Sequence, residues 1–430
     1  MTLTLSGEYR PPVPSRVIFG YDKVSTIKME LDHLGCDRVM ILSGRTVADK
    51  TESVQLVQQA VGDKLVGVYS GLSQRAPLHT AVAATKMALD LKADALVGIG
   101  GSTISDASRM IAVMMAENIV TEDNLRELGL QNAGLIQPEL EGKQLPLQIS
   151  IPTTLSAGEF NQGGGNILDD KAAKKIRVRH HSLYADLIVL DPIMTIGTPD
   201  WLWLSSGVKA LDHCIERLYC NGNQPAIEAT ASKAAELLFK YLPVSREDDN
   251  NLDARLNCLV AAWLSMMGAT TVGSGLSHAI GHVIGVKYDI GHGYTSCVTQ
   301  PYVMEYNRSA SANQQAVLAR AAGIQTDSMD DVAVAEAAYR VVDEFILGLN
   351  MPHRLRELEI PMEDLREIAE LTMEDGAGRN NPVPITSFEQ VMEVLKKAWY
   401  LYDRVNQEIW KIFGNLKCSP IIFLNVYIIF

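Results

Sequence analysis

The sequence lacks the features that would suit an oxidising compartment or a membrane. Its six cysteines form no C-x-x-C pair, a pattern that favours buried free thiols in a reducing compartment. The first 17 residues contain neither an apolar core nor an arginine-rich stretch, so we expect no secretory or transit peptide and a cytoplasmic protein. The longest apolar run, 421–430, is too short to span a bilayer, and no membrane partner is expected.

Positive charge is also scarce. The formal net charge is -13, which argues against a nucleic-acid partner, because such proteins need a basic face to neutralise phosphates. Apolar residues make up 47% and charged residues 21% of the chain, values that are ordinary for a folded protein. A length of 430 residues is enough for two domains.

Three parts follow one another along the chain. Residues 1–195 alternate short β-rich runs with helical patterns, which predicts an α/β Rossmann-like nucleotide-binding domain with a parallel sheet. Residues 196–400 show helical periodicity with few strand signals and predict an all-α catalytic domain. The stretch 401–430 matches neither part, and its β-branched and aromatic end would favour aggregation if exposed.

A glycine-rich turn follows one of the predicted strands and opens a helix. It contains Gly100 and Gly101, followed by Ser102 and Thr103. Glycines allow backbone N–H groups to approach a pyrophosphate closely, and a helix N-terminus adds partial positive charge. A tight turn without a ligand remains an equally good interpretation of these residues alone.

A second candidate binding element is the hydroxyl-rich loop 151–159, which includes Thr153, Thr154 and Ser156. It follows another predicted strand, where ligands of open α/β sheets bind, and its hydroxyls suit a nicotinamide amide or a ribose. The alternative is a loop whose hydroxyls bind its own backbone.

Four of the nine histidines share one region of the predicted helical half. His278 and His282 are spaced i, i+4 and share a helix face. His292 follows in a Gly-His-Gly turn, and His213 lies on an earlier helix. Several imidazoles that converge from separate elements are typical of a metal site or a proton-transfer site.

These motifs resemble the iron-containing (group III) alcohol dehydrogenase superfamily, and the chain is most similar to its maleylacetate-reductase-like branch. The resemblance runs from about Arg16 to Trp399. The family's G-G-G-S-x-x-D-x-x-K motif falls on residues 100–109, with Asp106 retained and Arg109 in the lysine position. By resemblance, Lys175 would contact the ribose of the nucleotide. The fold implied is that of the dehydroquinate-synthase-like and iron-containing dehydrogenases.

The histidine spacing carries the most specific part of the resemblance. The family's H-x-x-x-H, followed ten residues later by P-H-G, is met by His278, His282 and His292, with Gly291 in place of the proline. The resemblance implies that His213, His278 and His292 are metal-ligand positions and that His282 lies near the nicotinamide.

One departure from the family pattern concerns the metal. Where metal-dependent members have an aspartate ligand four residues before His213, this chain has Lys209. A protonated amine has no lone pair and cannot ligate a dication. At about 4 Å and an effective dielectric near 20, it would repel a dication by roughly 8 kcal/mol. A divalent metal (Fe²⁺ or Zn²⁺) is therefore not expected, unless Lys209 turns to solvent or Asp212 replaces the lost ligand.

The expected function is reduction of a small keto acid or aldehyde by NAD(P)H, or the reverse oxidation of an alcohol. Lys209 would stabilise the developing alkoxide or anchor a substrate carboxylate, with His282 as the general acid and His213, His278 and His292 as further proton donors. Gly44 and Arg45 stand where NAD-specific relatives have an aspartate, which favours tolerance of NADPH. A homodimer is expected. The alternatives are a metal-dependent alcohol dehydrogenase, a lyase that uses NAD transiently, and a non-catalytic nucleotide-binding protein.

Overall fold

The computed structural model describes residues 16–132, 134–161, 163–172 and 174–400. Strands alternate with helices as far as Leu190, a part we call the α/β half. From Asp200 to the end of the described chain the regular elements are helices, and we call this part the helical half. The predicted fold class, an α/β half followed by an all-α half, is confirmed. The unusual stretch 401–430 lies outside the described residues.

The strands of the described chain are β1 (Arg16–Phe19), β2 (Val39–Ser43), β3 (Leu65–Tyr69), β4 (Ala95–Gly100), β5 (Leu135–Ile136), β6 (Leu147–Pro152), β7 (Gly164–Asp169), β8 (Lys174–Arg179) and β9 (Leu187–Leu190). The α-helices are α1 (Ile27–Leu34), α2 (Arg45–Lys50), α3 (Ser53–Val61), α4 (Leu78–Asp90), α5 (Ser102–Ala116), α6 (Glu122–Gln131), α7 (Asp200–Tyr219), α8 (Pro225–Glu247), α9 (Leu252–Ser265), α10 (Leu276–Lys287), α11 (His292–Ala321), α12 (Asp331–Gly348), α13 (Leu365–Glu374) and α14 (Phe388–Trp399).

Six strands form a parallel sheet in the order β1-β9-β6-β4-β2-β3. Every residue of β2 and β4 is buried, as expected for strands that helices cover on both faces. Successive side chains point to opposite faces of a strand. Met40 and Leu42 therefore pack under α4 and α5, whereas Val39 and Ile41 pack under α1 and α3.

The strand order reverses between β2 and β4, because the chain proceeds from β2 to β3 on one side and then to β4 on the other. Ligands of open α/β sheets bind at such a switch point, outside the carboxyl ends of the strands. Ser43 at the end of β2 pairs in register with Ile99 of β4. The fold thus brings the start of α2 and the start of α5 side by side at this point.

A small second sheet, in the order β5-β8-β7, lies beside α5. Strands β7 and β8 form an antiparallel hairpin, in which Asp169 at the end of β7 pairs with Lys174 at the start of β8. A Cβ atom on Gly165 would lie 2.5 Å from the carbonyl oxygen of Asp106, so glycine lets the hairpin approach α5 closely.

The helical half is built around α7. Every residue from Trp203 to Tyr219 is buried, and α7 contacts α8, α9 and α11. The indole of Trp203 donates a hydrogen bond to Ser245 (2.9 Å) and packs against the guanidinium of Arg255. Polar residues on the inner part of α7 are consequently shielded from water. Within the described residues, none of the helices combines the length and the apolar character that a membrane span requires.

One side chain of the α/β half clasps the helical half. Arg75 follows β3 and has a left-handed backbone conformation (φ 63). Its guanidinium donates to the carbonyl of Gly285 on α10 and pairs with Asp289 at 2.6 Å. These contacts, which we call the Arg75 clasp, hold the helix that carries His278 and His282 against the sheet.

Candidate active site

The predicted glycine turn lies at the switch point of the sheet. Gly100 has a φ of +153, and a Cβ atom there would lie 2.5 Å from the side chain of Ile104. A Cβ atom on Gly101 would lie 2.9 Å from the hydroxyl of Thr154. Helix α5 begins directly afterwards with Ser102 and Thr103. The turn therefore requires glycines and presents a helix N-terminus, which is the geometry that binds a pyrophosphate.

The hydroxyl-rich loop meets this turn directly. The backbone N–H of Ser102 donates to the hydroxyl of Ser156 (3.2 Å), which also contacts the Thr154 hydroxyl at 3.0 Å. Thr153 and Thr154 are buried. The loop continues to α7, because the N–H of Leu155 donates to Ser206 (3.0 Å). The two predicted nucleotide-binding elements are thus joined, and the loop links them to the helix that bears Lys209.

Arg109, at the family's lysine position, has a structural task. Its buried guanidinium donates to the backbone carbonyls of Gly158 (2.9 Å), Glu159 (3.0 Å) and Gly164 (3.3 Å). These bonds fix the end of the hydroxyl-rich loop and the start of β7 against α5. Three divergent acceptors suit a planar guanidinium, whereas a lysine ammonium is a single point of charge.

Asp106 is surrounded by polar groups of the hairpin. Asn166 donates to its carboxylate, and Arg109 lies 3.3 Å away. Burial raises the pKa of Asp106 to about 6, although the charges of Arg109 and Lys175 oppose the shift. Burial lowers the pKa of Lys175, and the attraction of Asp106 opposes that change. Asp106 and Lys175 therefore share one electrostatic environment beside the glycine turn.

Gly44 and Arg45 occupy the neighbouring strand end. Gly44 precedes α2, and Arg45 is the first residue of that helix. Burial raises the pKa of Tyr69, at the end of β3, and the charge of Arg45 opposes the shift. Arg45 thus adds positive charge at the outer side of the switch point.

The four predicted histidines form a continuous row. Ring centroids are 5.3 Å apart for His213 and His278, 6.3 Å for His278 and His282, and 5.7 Å for His282 and His292. The row combines side chains from α7, α10 and α11. A Cβ atom on Gly293 would lie 2.6 Å from the backbone of Ser205, so the second glycine of the Gly-His-Gly turn allows α11 to approach α7.

The surroundings of two of these imidazoles disfavour the charged form. Burial lowers the pKa of His213 well below its usual range, and the positive charges of Lys209 and His278 lower it further. Burial also lowers the pKa of His292, together with the charges of Lys209 and His282. The charge of Lys175 on β8 contributes to the shift at His292, so the hairpin lies near the histidine row.

Lys209 lies inside this cluster and points inward. It is 9% exposed, and its ammonium lies 2.7 Å from Oδ2 of Asp212 and 3.3 Å from the hydroxyl of Ser296. Ser296 also donates to Asp212 Oδ2 (2.7 Å). Burial raises the pKa of Asp212, but attraction to Lys209 and His278 outweighs burial, so that the pKa lies below its usual range. Of the alternatives open for Lys209, a side chain turned to solvent does not occur in the structure.

Asp212, Glu216 and His278 have ligand-type atoms within 4.8 Å of one another, so a metal must be considered. One oxygen of each carboxylate is already engaged, since Asp212 Oδ2 accepts from Lys209 and Glu216 Oε2 accepts from the N–H of Gly275 (2.7 Å). Nδ1 of His278 lies 2.6 Å from Glu216 Oε2. That distance is shorter than two ligands around one Zn²⁺ would keep, given bonds of about 2.0–2.2 Å to a tetrahedral ion. With the Lys209 ammonium beside them, these residues do not fit a dication in this arrangement.

Several contributing residues were not predicted from the sequence. Glu216 accepts from the N–H groups of Gly275 and His278 and so caps the N-terminus of α10. Oδ2 of Asp375 lies 3.0 Å from Nδ1 of His282. Glu216 lies within the sequence motif around Lys209, so the sequence alone could have indicated it. Asp375 is 93 residues from His282 in the chain, and nothing local marks it.

A glycine turn at the switch point of a parallel sheet, facing a histidine row on a helical half, defines a nucleotide-dependent oxidoreductase of the alcohol dehydrogenase type. Residues 14–192 match the iron-containing alcohol dehydrogenase family, and residues 203–399 match the C-terminal part of the Fe-containing alcohol dehydrogenase family. The chain belongs to the iron-containing alcohol dehydrogenase family, and within it resembles the maleylacetate-reductase-like branch.

Individual relatives agree with this assignment. The chain is 30% identical to dehydrogenase ALT3 of Alternaria alternata over 392 residues, which cover 85% of this chain and 99% of that protein. It is 26% identical to maleylacetate reductase of Sphingobium indicum over 391 residues, which cover 90% of this chain and 96% of that protein. The structure of sulfoacetaldehyde reductase from Bifidobacterium kashiwanohense in complex with NAD⁺ superposes with a TM-score of 0.78 at 21% identity, covering 93% of this chain and 100% of that one.

Proposed function

We propose that this protein uses NAD(P)H to reduce a small keto acid or aldehyde to an alcohol, or catalyses the reverse oxidation, without a catalytic metal. A bound nicotinamide nucleotide supplies the hydride to the carbonyl carbon; the π electron pair moves to the oxygen, which takes a proton. The observation that carries the proposal is the buried Lys209 ammonium inside the histidine row, 2.7 Å from Asp212.

The nucleotide site is proposed on the strand ends of the sheet. The glycine turn, the N-terminus of α5 and the Thr154–Ser156 hydroxyl pair would hold the pyrophosphate and the nicotinamide side. Lys175 would contact the ribose. Arg45, on the neighbouring strand end, would favour a 2′-phosphate. A protein with the same fold was solved in complex with NAD⁺, which supports a nicotinamide nucleotide as the cofactor.

Lys209 would act as the electrophile. Its ammonium has three N–H donors, of which two are used by Asp212 and Ser296. The third would bind the carbonyl oxygen as negative charge develops, or a substrate carboxylate, in a site from which water is largely excluded. Asp212 Oδ1 and His213 Nδ1 are buried nearby without a hydrogen-bond partner in the described part of the chain, and a bound polar substrate could satisfy them.

His282 would be the general acid. Its side chain is 45% exposed, unlike that of His278 at 9%, so His282 is the more accessible of the two to a substrate in the cleft. His213, His278 and His292 would complete the polar wall and supply further proton-transfer groups. We further propose a homodimer, which gel filtration with light scattering would test.

A panel of aldehydes, keto acids and alcohols, followed by NAD(P)H absorbance, tests the activity. We expect turnover of at least one member, and full activity after treatment with a chelator. Complete inhibition by a chelator that Zn²⁺ or Fe²⁺ reverses would establish a metal-dependent alcohol dehydrogenase instead. Nucleotide binding without any consumption would establish a non-catalytic or transiently NAD-using protein.

A fluorescence titration with NADH tests the nucleotide site separately. Gly101→Ala places a methyl group 2.9 Å from the Thr154 hydroxyl, and we expect at least a roughly tenfold weaker NADH affinity, equivalent to about 1.4 kcal/mol. Gly348→Ala is the matched control, because a Cβ atom there has nothing within 4 Å. Equal affinity of the two variants would place the nucleotide elsewhere.

A further inference from the structure

His282 has a carboxylate partner from a distant part of the chain. Nδ1 of His282, on α10, lies 3.0 Å from Oδ2 of Asp375, which directly follows α13. The two side chains are 45% and 24% exposed. Both side chains are therefore partly accessible to solvent, the imidazole more than the carboxylate.

The two oxygens of Asp375 have separate partners. Oδ1 accepts from the backbone N–H of Ala377 (2.8 Å), and Oδ2 faces His282. Burial raises the pKa of Asp375, but the hydrogen bonds with His282 and the Ala377 N–H, together with the charges of His282 and Arg177, outweigh burial and the pKa lies below its usual value. An ionised carboxylate only accepts hydrogen bonds. Nδ1 of His282 must therefore be the donor, which leaves Nε2 as the nitrogen that exchanges a proton.

Two asparagines that follow Asp375 in the chain hold its segment against neighbouring elements. Asn381 and the buried Asn307 of α11 donate to each other's side-chain oxygens at 2.8 and 2.7 Å. The side chain of Asn380 contacts the carbonyl of Ser274, just before α10 (3.4 Å). The segment is thus fixed against the start of the same helix that bears His282, and the distance between the carboxylate and the imidazole is set by the fold.

We propose that Asp375 is a positioning residue that holds His282 in the Nδ1–H tautomer. Nε2 then takes a proton from the alcohol, or, when both nitrogens are protonated, donates one to the alkoxide oxygen: the N–H bond breaks as the O–H bond forms. The inference rests on the proposed role of His282 in the reaction. The pairing itself can be measured without turnover, so the two can fail separately.

The tautomer is measured by NMR on the full-length protein labelled with ¹⁵N-histidine, with His282→Gln used to assign the signal. In the neutral form of His282, we expect the ring nitrogen that carries the proton to be Nδ1. In Asp375→Asn, the Ala377 N–H still requires the side-chain oxygen, so the amide NH₂ faces His282 and the proton moves to Nε2. Asp364→Asn is the matched control, since Asp364 pairs with Lys287 at the end of α10 and with the adjacent Tyr288 rather than with a histidine.

The kinetic measurement uses the substrate found with the carbonyl panel. Asp375→Asn should lower kcat by roughly 10- to 100-fold, less than the roughly 10²- to 10⁴-fold that a general acid or base contributes, because the imidazole itself remains, with KM changed less than about twofold. In the His282→Gln background the same substitution should have almost no effect, because coupled residues are not additive. Asp375→Glu should recover part of kcat.

Two results would overturn the inference. One is a wild-type His282 whose proton lies on Nε2, or whose tautomer is the same in Asp375→Asn. The other is an equal loss of kcat from Asp375→Asn with and without His282, which would make the carboxylate a purely structural residue. A protein that turns over no carbonyl but shows the expected tautomer shift would contradict the proposed function. The pairing of Asp375 with His282 would still hold.

Discussion

The ammonium of Lys209 and the carboxylate of Asp212 lie 2.7 Å apart on one helix, and Asp212 is fully buried. A second lysine–carboxylate pair with the same spacing and the same distance joins Lys233 and Glu236 on α8, where both side chains are about half exposed. The two pairs have equal local geometry and opposite environments. They provide an internal comparison for the function of the buried one.

Removal of the Lys209 charge should abolish most of the activity. We expect Lys209→Met to lower kcat by about 100-fold or more, the size of effect seen when a preorganised group that stabilises the oxyanion is lost. Lys233→Met should leave kcat unchanged. Steady-state kinetics with NAD(P)H check this, and a Lys209→Met enzyme with near-normal kcat would contradict the electrophilic role.

The same pair should make the two single variants unstable and the double variant less so. Loss of one partner leaves an uncompensated buried charge, which costs about 3–5 kcal/mol. Lys209→Met and Asp212→Asn should each lower the free energy of unfolding, and the double variant should lose less than their sum. Urea unfolding measures all three. A double variant that regains stability but not activity would show that the pair contributes to catalysis independently of its contribution to folding.

Glu159 should make stability depend on pH in a predictable direction. Burial raises the pKa of this carboxyl to about 7, although its own backbone and Arg109 oppose the shift. The unfolded carboxyl titrates near 4.3. Because the folded pKa is the higher one, its contribution to stability is present below about pH 4 and is lost as pH rises through 7.

The corresponding test compares Glu159→Gln with the wild type. Relative to the wild type, the variant should gain stability between pH 4 and pH 8, by on the order of 3 kcal/mol. Unfolding midpoints across this range check the prediction. Glu141→Gln, at an exposed loop position, is the control and should show no such trend; a flat difference for Glu159→Gln would show that the carboxyl is not buried in solution.

Arg45 should affect the choice between the two nucleotides. We expect Arg45→Ala to raise KM for NADPH by roughly fivefold, since one exposed charge contributes about 1 kcal/mol, and to leave KM for NADH nearly unchanged. Lys50→Ala, at the other end of α2, is the control. Equal changes for both nucleotides would remove Arg45 from the 2′-phosphate site.

The sequence was sufficient for features that are local. Runs of apolar residues predict β2 and β4. The i, i+4 spacing of His278 and His282 predicts that the two side chains share one helix face. Strand β1 has only four residues, of which none is buried, so it lacks the pattern of a core strand and was not predicted. The division at residue 195 and the homodimer stay predictions.

The partners of the site residues depend on tertiary structure. The pairing of Lys209 with Asp212 follows from helical spacing, yet its burial depends on α11 and Ser296. Asp375 reaches His282 only because the segment after α13 is fixed against α10. Sequence patterns identify the groups that do the chemistry more readily than the groups that orient them.

The Arg75 clasp has a consequence for the order of events in a catalytic cycle. It joins the two halves next to the strand ends where a nucleotide would lie, through one ion pair and one carbonyl, and the Asp289 side of that ion pair is largely exposed to solvent. Separation of the two halves at this point would break both contacts. Dissolved salt weakens exposed ion pairs. Salt would therefore change the rates at which the coenzyme binds and leaves, but not the rate of hydride transfer.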